Sequence, residues 1–316
     1  MKENTAKIVI VGAGNVGSTI AYSIINQGLC GELILIDINH EKAVGEAMDL
    51  QHSVYFMNRN VNVKAAGYEE CRDADLLIMT AAAPMDPKSN DRLKMLDTSR
   101  KIMKDTCEAI MANGFDGIML VVSNPVDIMA YYAWKYSNLP KHKVIGSGTT
   151  LDTARLAGFI GKMFDLDEKS VEAYVMAEHG DSEIVAWSTA TIGGKKILDV
   201  MKDNTERTDN VTLEDLRQKT LQSGWDIFHR KRSTTYGIAS SVTSIAKSII
   251  FNENRIFPVS VCFDGHYGID DIYMSTPTII NHTGAKEIVE IKLSDEESEQ
   301  LVQSAKVLKQ CIDNVE

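Results

Sequence analysis

Residues 8–17 decide the fold, and they read Ile-Val-Ile-Val-Gly-Ala-Gly-Asn-Val-Gly. The β-branched run predicts a buried strand, and the Gly-x-Gly-x-x-Gly pattern directly after it predicts a tight turn that opens a helix. Glycines in such a turn permit the bend, let the backbone approach a pyrophosphate and allow close packing of helix on strand, while the helix N-terminus attracts phosphates. We therefore expect a dinucleotide to bind at Gly12, Gly14, Asn15, Val16 and Gly17.

Asp37 ends the second predicted strand, twenty positions after Gly17. A carboxylate at this place can accept hydrogen bonds from the adenosine ribose hydroxyls, whereas the additional 2′-phosphate of NADP would meet a like charge. We therefore predict NAD rather than NADP as the cofactor.

The first half of the chain alternates short β-branched runs with segments of helical period, which is typical of parallel βαβ units. After Gly146 the rhythm changes to a helix, a meander of strands, a long helix over about residues 225–251 and a last helix that a capping box opens at Ser294. We predict an α/β protein, with a Rossmann doubly wound parallel sheet in an NAD-binding domain (1–147), followed by an α+β substrate-binding and catalytic domain (148–316). The predicted strands of the first domain are Lys7–Val11, Leu33–Ile36, Val61–Ala65, Leu76–Thr80, Ile118–Val122 and Val144–Gly146, and its predicted helices are Asn15–Gln27, Glu41–Gln51, Arg92–Asn113 and Val126–Tyr136.

The formal net charge of -11 argues against nucleic acid and anionic membrane surfaces as partners. No stretch approaches the roughly 20 apolar residues that cross a bilayer. The five cysteines are odd in number and lack C-x-x-C spacing, which fits neither a disulfide framework nor a zinc site and favours a cytoplasmic protein without metal. Because the net charge of the protein is negative, local cations must attract any anionic substrate. Buried arginines are therefore candidates for binding such a substrate.

Four polar segments remain to be explained, and together they resemble the L-lactate and L-malate dehydrogenase family. The resemblance extends over nearly the whole chain, from the glycine turn to Tyr236-Gly237-Ile238, and several separate motifs occur in the family's order. It implies an NAD-dependent 2-hydroxy acid dehydrogenase of the L-lactate type that assembles as a homo-oligomer, a tetramer or a dimer. The segments are Asn90-Asp91-Arg92, Ser123-Asn124-Pro125, Leu151-Asp152-Thr153-Ala154-Arg155 and Glu178-His179-Gly180-Asp181.

Oxidising an alcohol removes a hydride from carbon and a proton from oxygen, so one group with a near-neutral pKa must accept the proton. His179 is the candidate for this catalytic base. A carboxylate can hold the resulting imidazolium in one tautomer, and the resemblance gives that role to Asp152. Arg155 presents a fork that matches a substrate carboxylate in two hydrogen bonds.

The resemblance supplies two further roles. Arg92 is similar to the mobile arginine that polarises the reacting carbonyl, and the polar loop before it could close over the substrate. Asn124, placed by Pro125, is expected near both the substrate oxygen and the cofactor.

One departure from the family pattern is Met85, which bears on substrate choice. At the matching position the lactate enzymes of the family carry Gln and the malate enzymes carry Arg. Methionine cannot pair with a second substrate carboxylate, so malate is disfavoured. Met85 and a loop one residue longer than the common lactate pattern bring the chain closer to L-2-hydroxyisocaproate dehydrogenases, which take bulkier acids. Thr234 fits the position that keeps the lactate pocket small. We therefore expect a monocarboxylic 2-oxo or 2-hydroxy acid, with pyruvate turnover and tolerance for larger side chains.

Regulation is the second departure. Bacterial members of the family that fructose 1,6-bisphosphate activates share an Arg and a His. The matching positions in this sequence hold Ala157 and Glu172. One cation is missing and the other is replaced by an anion, so we expect no activation by the bisphosphate.

Two other interpretations compete. Tyr131 and Lys135 match the Tyr-x-x-x-Lys pair of short-chain dehydrogenases, but the glycine spacing differs and Ile118 stands where that family has Ser. A non-catalytic NAD-binding protein could share the fold. Such a protein need not retain His179, Asp152, Arg155 and Arg92 together.

Overall fold

The computed structural model describes residues 6–83, 92–208 and 211–315, with the backbone alone at residues 92–94. Its first half forms six parallel strands joined by helices, in the sheet order β3-β2-β1-β4-β5-β6. This is the strand order of a Rossmann fold, so the predicted doubly wound sheet is confirmed. The elements are β1 (Lys7–Val11), α1 (Asn15–Gln27), β2 (Glu32–Ile36), α2 (His40–Ser53), β3 (Asn62–Ala65), β4 (Leu76–Met79), α3 (Arg92–Ala112), β5 (Ile118–Val121), α4 (Val126–Ser137) and β6 (Val144–Gly146).

The second half combines antiparallel strands with helices, as an α+β region does. Helix α5 (Thr150–Phe164) packs against both α8 (Leu213–Lys231) and α9 (Tyr236–Ile250), and a separate apolar cluster that includes Leu156, Ile160 and Leu216 joins α5 to α8. Its elements are α5 (Thr150–Phe164), β7 (Val171–Glu172), β8 (Val175–Met176), β9 (Ile184–Val185), β10 (Thr191–Ile192), β11 (Lys195–Lys196), α6 (Ile197–Asp203), α7 (Thr205–Thr208), α8 (Leu213–Lys231), α9 (Tyr236–Ile250), β12 (Arg255–Asp264), β13 (Asp270–Asn281), β14 (Gly284–Ile288) and α10 (Asp295–Asp313).

The long helix expected over residues 225–251 is wrong, because the chain makes two helices there. Helix α8 ends at Arg232, whose φ of 63° lies in the left-handed region, and α9 begins after Thr235. The linker 232–235 holds Thr234. Neither glycine nor proline marks the break, so the sequence gives no signal that one helix ends and another begins.

The two halves share one sheet. Strand β12 pairs antiparallel with the edge strand β6, where Ser260 faces Gly146, and β13 and β14 extend the sheet to nine strands. The large apolar core spans strands of both halves, so the second half is anchored on the first. Among the described residues, no helix is long and apolar enough to cross a membrane.

Candidate active site

The glycine turn lies between β1 and α1 at the carboxyl edge of the parallel sheet. Gly12 has a φ of 107°, and a Cβ at Gly17 would collide with the Gly12 carbonyl oxygen, so close helix–strand packing excludes side chains at both positions. Helix α1 begins after Gly14 with no side-chain cap from the described residues. Asn15 and Val16 are its first two residues. Their backbone N–H groups are therefore available to an anion, which fits the pyrophosphate of a dinucleotide.

Asp37 lies beside this turn, just after β2. Its Oδ2 accepts a hydrogen bond from the N–H of Ala13 at 2.7 Å, and its Oδ1 accepts one from the N–H of Asn39 at 2.8 Å. These bonds hold the carboxylate against the glycine turn, where a ribose of a bound dinucleotide would reach it. The residues present therefore fit NAD.

Asn124 follows β5 at the same edge and is exposed. The peptide bond from Asn124 to Pro125 is cis, and α4 starts directly after it. The hydroxyl of Ser123 donates to the Ala81 carbonyl oxygen at 2.6 Å and ties this segment to the chain after β4. Asn124 thus lies in an anchored turn at the edge of the sheet that also carries the glycine turn.

His179, Asp152 and Arg155 come together, as the sequence predicts. Asp152 and Arg155 lie one turn apart near the start of α5, and His179 lies in the segment between β8 and β9. Asp152 Oδ2 is 2.6 Å from His179 Nδ1, and Asp152 Oδ1 accepts from Arg155 Nη1 at 2.7 Å. Because a carboxylate only accepts hydrogen bonds, Nδ1 carries a proton, and Nε2 is the ring nitrogen that can exchange a proton with a substrate.

Charge and burial determine the protonation of this group. The negative charge of Asp152 outweighs the burial of the ring and raises the pKa of His179 to about 9. Burial opposes ionisation of Asp152, but His179 and Arg155 overcome it and hold the pKa of Asp152 below the usual carboxyl value. The imidazole keeps 29% of its side-chain surface exposed and Arg155 keeps 14%, so both remain partly accessible to a ligand. At neutral pH His179 is thus an imidazolium beside a carboxylate.

Sequence reasoning missed Asp127, a buried carboxyl in the first turn of α4. Its Oδ2 accepts from the backbone N–H of His179 at 2.7 Å, and its Oδ1 accepts from the Ser275 hydroxyl at 3.4 Å. That hydroxyl in turn accepts from the N–H of Thr149, which caps α5. Burial raises the pKa of Asp127 to about 6. The position of Asp127, two residues after Pro125, was the available signal in the sequence. Its hydrogen bonds connect the segment that holds His179 with α4 and, through Ser275, with the start of α5.

Two further residues that were not predicted lie beside this group. Glu183 is buried, and one of its carboxyl oxygens lies within 4.8 Å of a ring nitrogen of His179 and an oxygen of Asp152. Both oxygens of Asp152 are already engaged by Arg155 and His179, so we assign no metal to these three side chains. Gly224 in α8 lies beside Arg155, and a Cβ there would be 3.7 Å from both terminal nitrogens of that guanidinium. Neither residue carries a motif that sequence reasoning could use.

The other predicted substrate residues are only partly placed. Thr234 is half-buried in the linker between α8 and α9. Arg92 begins α3, but its side chain, like all of Met85, lies outside the described residues.

Comparison with known proteins agrees with this arrangement. Residues 6–146 match the family model of the lactate/malate dehydrogenase NAD-binding domain, and residues 149–316 match that of the lactate/malate dehydrogenase α/β C-terminal domain. The chain is 47% identical over 309 residues to L-lactate dehydrogenase 3 of Bacillus cereus, with 98% of each chain covered. It is 43% identical over 307 residues to L-lactate dehydrogenase 1 of Bifidobacterium longum, with 97% of each covered.

Solved structures agree as well. The minor L-lactate dehydrogenase of Enterococcus mundtii in its ligand-bound form superposes with a TM-score of 0.95 at 42% identity, with 99% of each chain covered. A lactate dehydrogenase from a deep-sea metagenome library of the Medee basin gives the same TM-score, identity and coverage. The chain therefore belongs to the lactate/malate dehydrogenase family of NAD-dependent oxidoreductases.

Proposed function

We propose that this chain is an L-lactate-type dehydrogenase that reversibly reduces pyruvate and related monocarboxylic 2-oxo acids. The observation that carries the proposal is the contact of Asp152 with both His179 and Arg155, 2.6 and 2.7 Å long. One carboxylate thereby orients the proton donor and the substrate anchor together. A non-catalytic NAD-binding protein has no need for this arrangement.

The proposed mechanism assigns each residue one task. The guanidinium of Arg155 binds the substrate carboxylate through two parallel hydrogen bonds and fixes the orientation of the 2-oxo group. When bound, NADH supplies the hydride. Protonated His179 donates its Nε2 proton to the carbonyl oxygen, and Asp152 stabilises the imidazolium beforehand. Arg92 and Asn124 are assigned to the developing charge on that oxygen.

The protonation state also favours reduction in the free enzyme. Because Asp152 raises the pKa of His179 to about 9, the imidazolium predominates at neutral pH. A proton is then present before the 2-oxo acid binds. In the reverse direction the enzyme must first lose this proton, so oxidation of the hydroxy acid should be fastest at alkaline pH.

The substrate range is proposed from the residues that would surround the substrate side chain. Met85 offers no charge to a second carboxylate, which disfavours oxaloacetate. Its flexible apolar side chain supports tolerance for bulkier chains, and an L-2-hydroxyisocaproate dehydrogenase is the second candidate, although Thr234 favours the small pocket of a lactate enzyme.

We further propose that the protein works in the cytoplasm as a homo-oligomer, a tetramer or a dimer, and that fructose 1,6-bisphosphate does not activate it. Ala157 is a buried residue of α5 and Glu172 an exposed anion of β7, so neither supplies a cation for a phosphate. Light scattering after size-exclusion chromatography tests the assembly. A lower pyruvate requirement in the presence of the bisphosphate would contradict the regulatory proposal.

The decisive experiment follows NADH oxidation with pyruvate, larger aliphatic and aromatic 2-oxo acids, and oxaloacetate. The wild type should turn over pyruvate, and His179→Asn should lose about 10²–10⁴-fold in kcat. The matched control is His266→Asn, in the turn between β12 and β13, away from the site. Absence of turnover with every monocarboxylic acid, or a preference for oxaloacetate over all of them, would refute the proposed function.

A further inference from the structure

Glu183 is a buried carboxyl for which the proposed mechanism has no use. It lies four residues after His179, just before β9, and is only 3% exposed. Its Oε1 is buried and has no hydrogen-bond partner within the described ranges. A carboxyl group in such surroundings loses its hydration without compensation, so its retention beside a catalytic group calls for a function.

Four charged or titratable groups lie around Glu183. One of its carboxyl oxygens, a ring nitrogen of His179 and an oxygen of Asp152 lie within 4.8 Å of one another. Arg155 reaches the group from α5, and Arg217 from α8 donates to the backbone oxygen of Glu183 at 3.3 Å. Glu183 thus shares one electrostatic environment with the imidazole but makes no hydrogen bond to it.

We propose that Glu183 is a positioning residue that acts through His179, so that the charge state of its carboxyl controls how far the imidazolium persists as the pH rises. The inference rests on the proposed function, because it concerns the proton that His179 donates to a 2-oxo acid. Glu183 touches no reacting atom. Its effect is electrostatic and sets the alkaline limit of the reduction.

The Glu183 carboxyl gains its negative charge as the pH rises above neutral. Burial, reinforced by the charge of Asp152, raises the pKa of Glu183 to about 8 against the opposing charges of His179, Arg217 and Arg155. At neutral pH the carboxyl is largely protonated and contributes no charge. As the pH rises further it ionises, and its negative charge opposes loss of the imidazolium proton. The enzyme therefore keeps a proton donor to a higher pH than Asp152 and Asp127 alone would allow.

The test compares Glu183→Gln with the wild type, because glutamine is a neutral isostere of the protonated carboxyl. The alkaline limb of kcat/KM for pyruvate reduction reports the free enzyme. We expect its midpoint to move down by about one pH unit, the effect of removing one partly screened charge at this distance. The ratio of variant to wild-type rate should be closest to one on the acid side and fall as the pH rises.

A second readout does not depend on turnover. NMR titration of the His179 ring, identified by the signal that His179→Asn loses, should show the same downward shift in Glu183→Gln. The matched control is Glu214→Gln, which removes an exposed carboxylate that binds Arg217 at 2.8 and 2.9 Å and should leave the midpoint unchanged. Glu183→Ser supplies a second neutral variant in case the glutamine variant folds poorly.

Three results would overturn the inference: an unmoved midpoint in the titration, a loss of rate that is uniform across pH, or an equal shift in Glu214→Gln. If wild-type enzyme fails to reduce any 2-oxo acid, the proposed function fails instead. The titration then still decides whether Glu183 controls the proton on His179.

Discussion

Replacing Asp152 by Asn removes the charge on which the protonated state of His179 depends, with almost no change in shape. Asp152 is only 2% exposed, and its two oxygens engage His179 Nδ1 at 2.6 Å and Arg155 Nη1 at 2.7 Å. The packing around an asparagine should be the same. The consequences are therefore electrostatic and can be followed from pKa values.

The magnitude follows from the proton on His179. With a pKa of about 9, roughly 97% of the rings carry a proton at about pH 7.5. Without the carboxylate, the pKa of His179 falls back toward the usual imidazole value of about 6.5, so only about 9% of the rings remain protonated, a loss of about tenfold. The amide can also donate to Nδ1 and select the wrong tautomer, which costs about 10⁴-fold in the serine protease example of the same arrangement. We therefore expect kcat/KM for pyruvate to fall between about tenfold and 10⁴-fold.

The assay is the pH dependence of NADH oxidation by pyruvate. In Asp152→Asn the alkaline limb should move down by about two pH units, toward the usual imidazole pKa, and part of the activity should return in acid. Asp165→Asn is the matched control, because this exposed residue ends the same helix in a left-handed conformation that asparagine also tolerates. An Asp152→Asn enzyme that retains activity within threefold of the wild type at about pH 7.5, or whose limb stays in place, would refute this reasoning.

Four other substitutions have defined outcomes. Arg155→Lys keeps the charge but loses the fork, so steady-state kinetics should show the pyruvate KM raised by about 10²-fold with a smaller change in kcat. Gly17→Ala places a methyl group against the Gly12 carbonyl and should lower the free energy of unfolding by about 1–3 kcal/mol in denaturant melts; Gly14→Ala, whose Cβ meets no atom within 4 Å, should not. Asp37→Ser should raise kcat/KM with NADPH relative to NADH by about tenfold, and an unchanged ratio would contradict the assigned contact. Asp127→Ala leaves the His179 N–H without its partner. It should lower kcat, measured by stopped-flow turnover, and should lower the free energy of unfolding by about 1–3 kcal/mol, measured by chemical denaturation.

The local pattern of the sequence predicted the first half of the fold well because each βαβ unit is a local structure. The predicted bounds of β1 and α1 agree with the structure residue for residue, and β4 differs only at its end. The pairing of β12 with β6 could not be predicted, since it joins residues more than a hundred positions apart and no local pattern encodes it. The break at Arg232 was missed because the left-handed residue is neither glycine nor asparagine.

The candidate site shows the same division between local and long-range information. Asp152 and Arg155 share a helix turn, and motif spacing alone predicts that they are neighbours. His179 could be joined to them only through the family resemblance, because the contact spans 27 residues. Asp127 and Glu183 went unnoticed because isolated acidic residues are usually exposed, and only their burial in the folded chain distinguishes them.

Three carboxyl groups raise the pKa of His179, and their own pKa values differ. Cations keep Asp152 ionised, while burial raises the pKa of Asp127 to about 6 and that of Glu183 to about 8. A substrate carboxylate on Arg155 adds another negative charge, which further favours the imidazolium, so binding of a 2-oxo acid should be coupled to proton retention on His179. Local cations can thus admit an anion to a protein of net charge -11, and the same anion secures the proton that its reduction consumes.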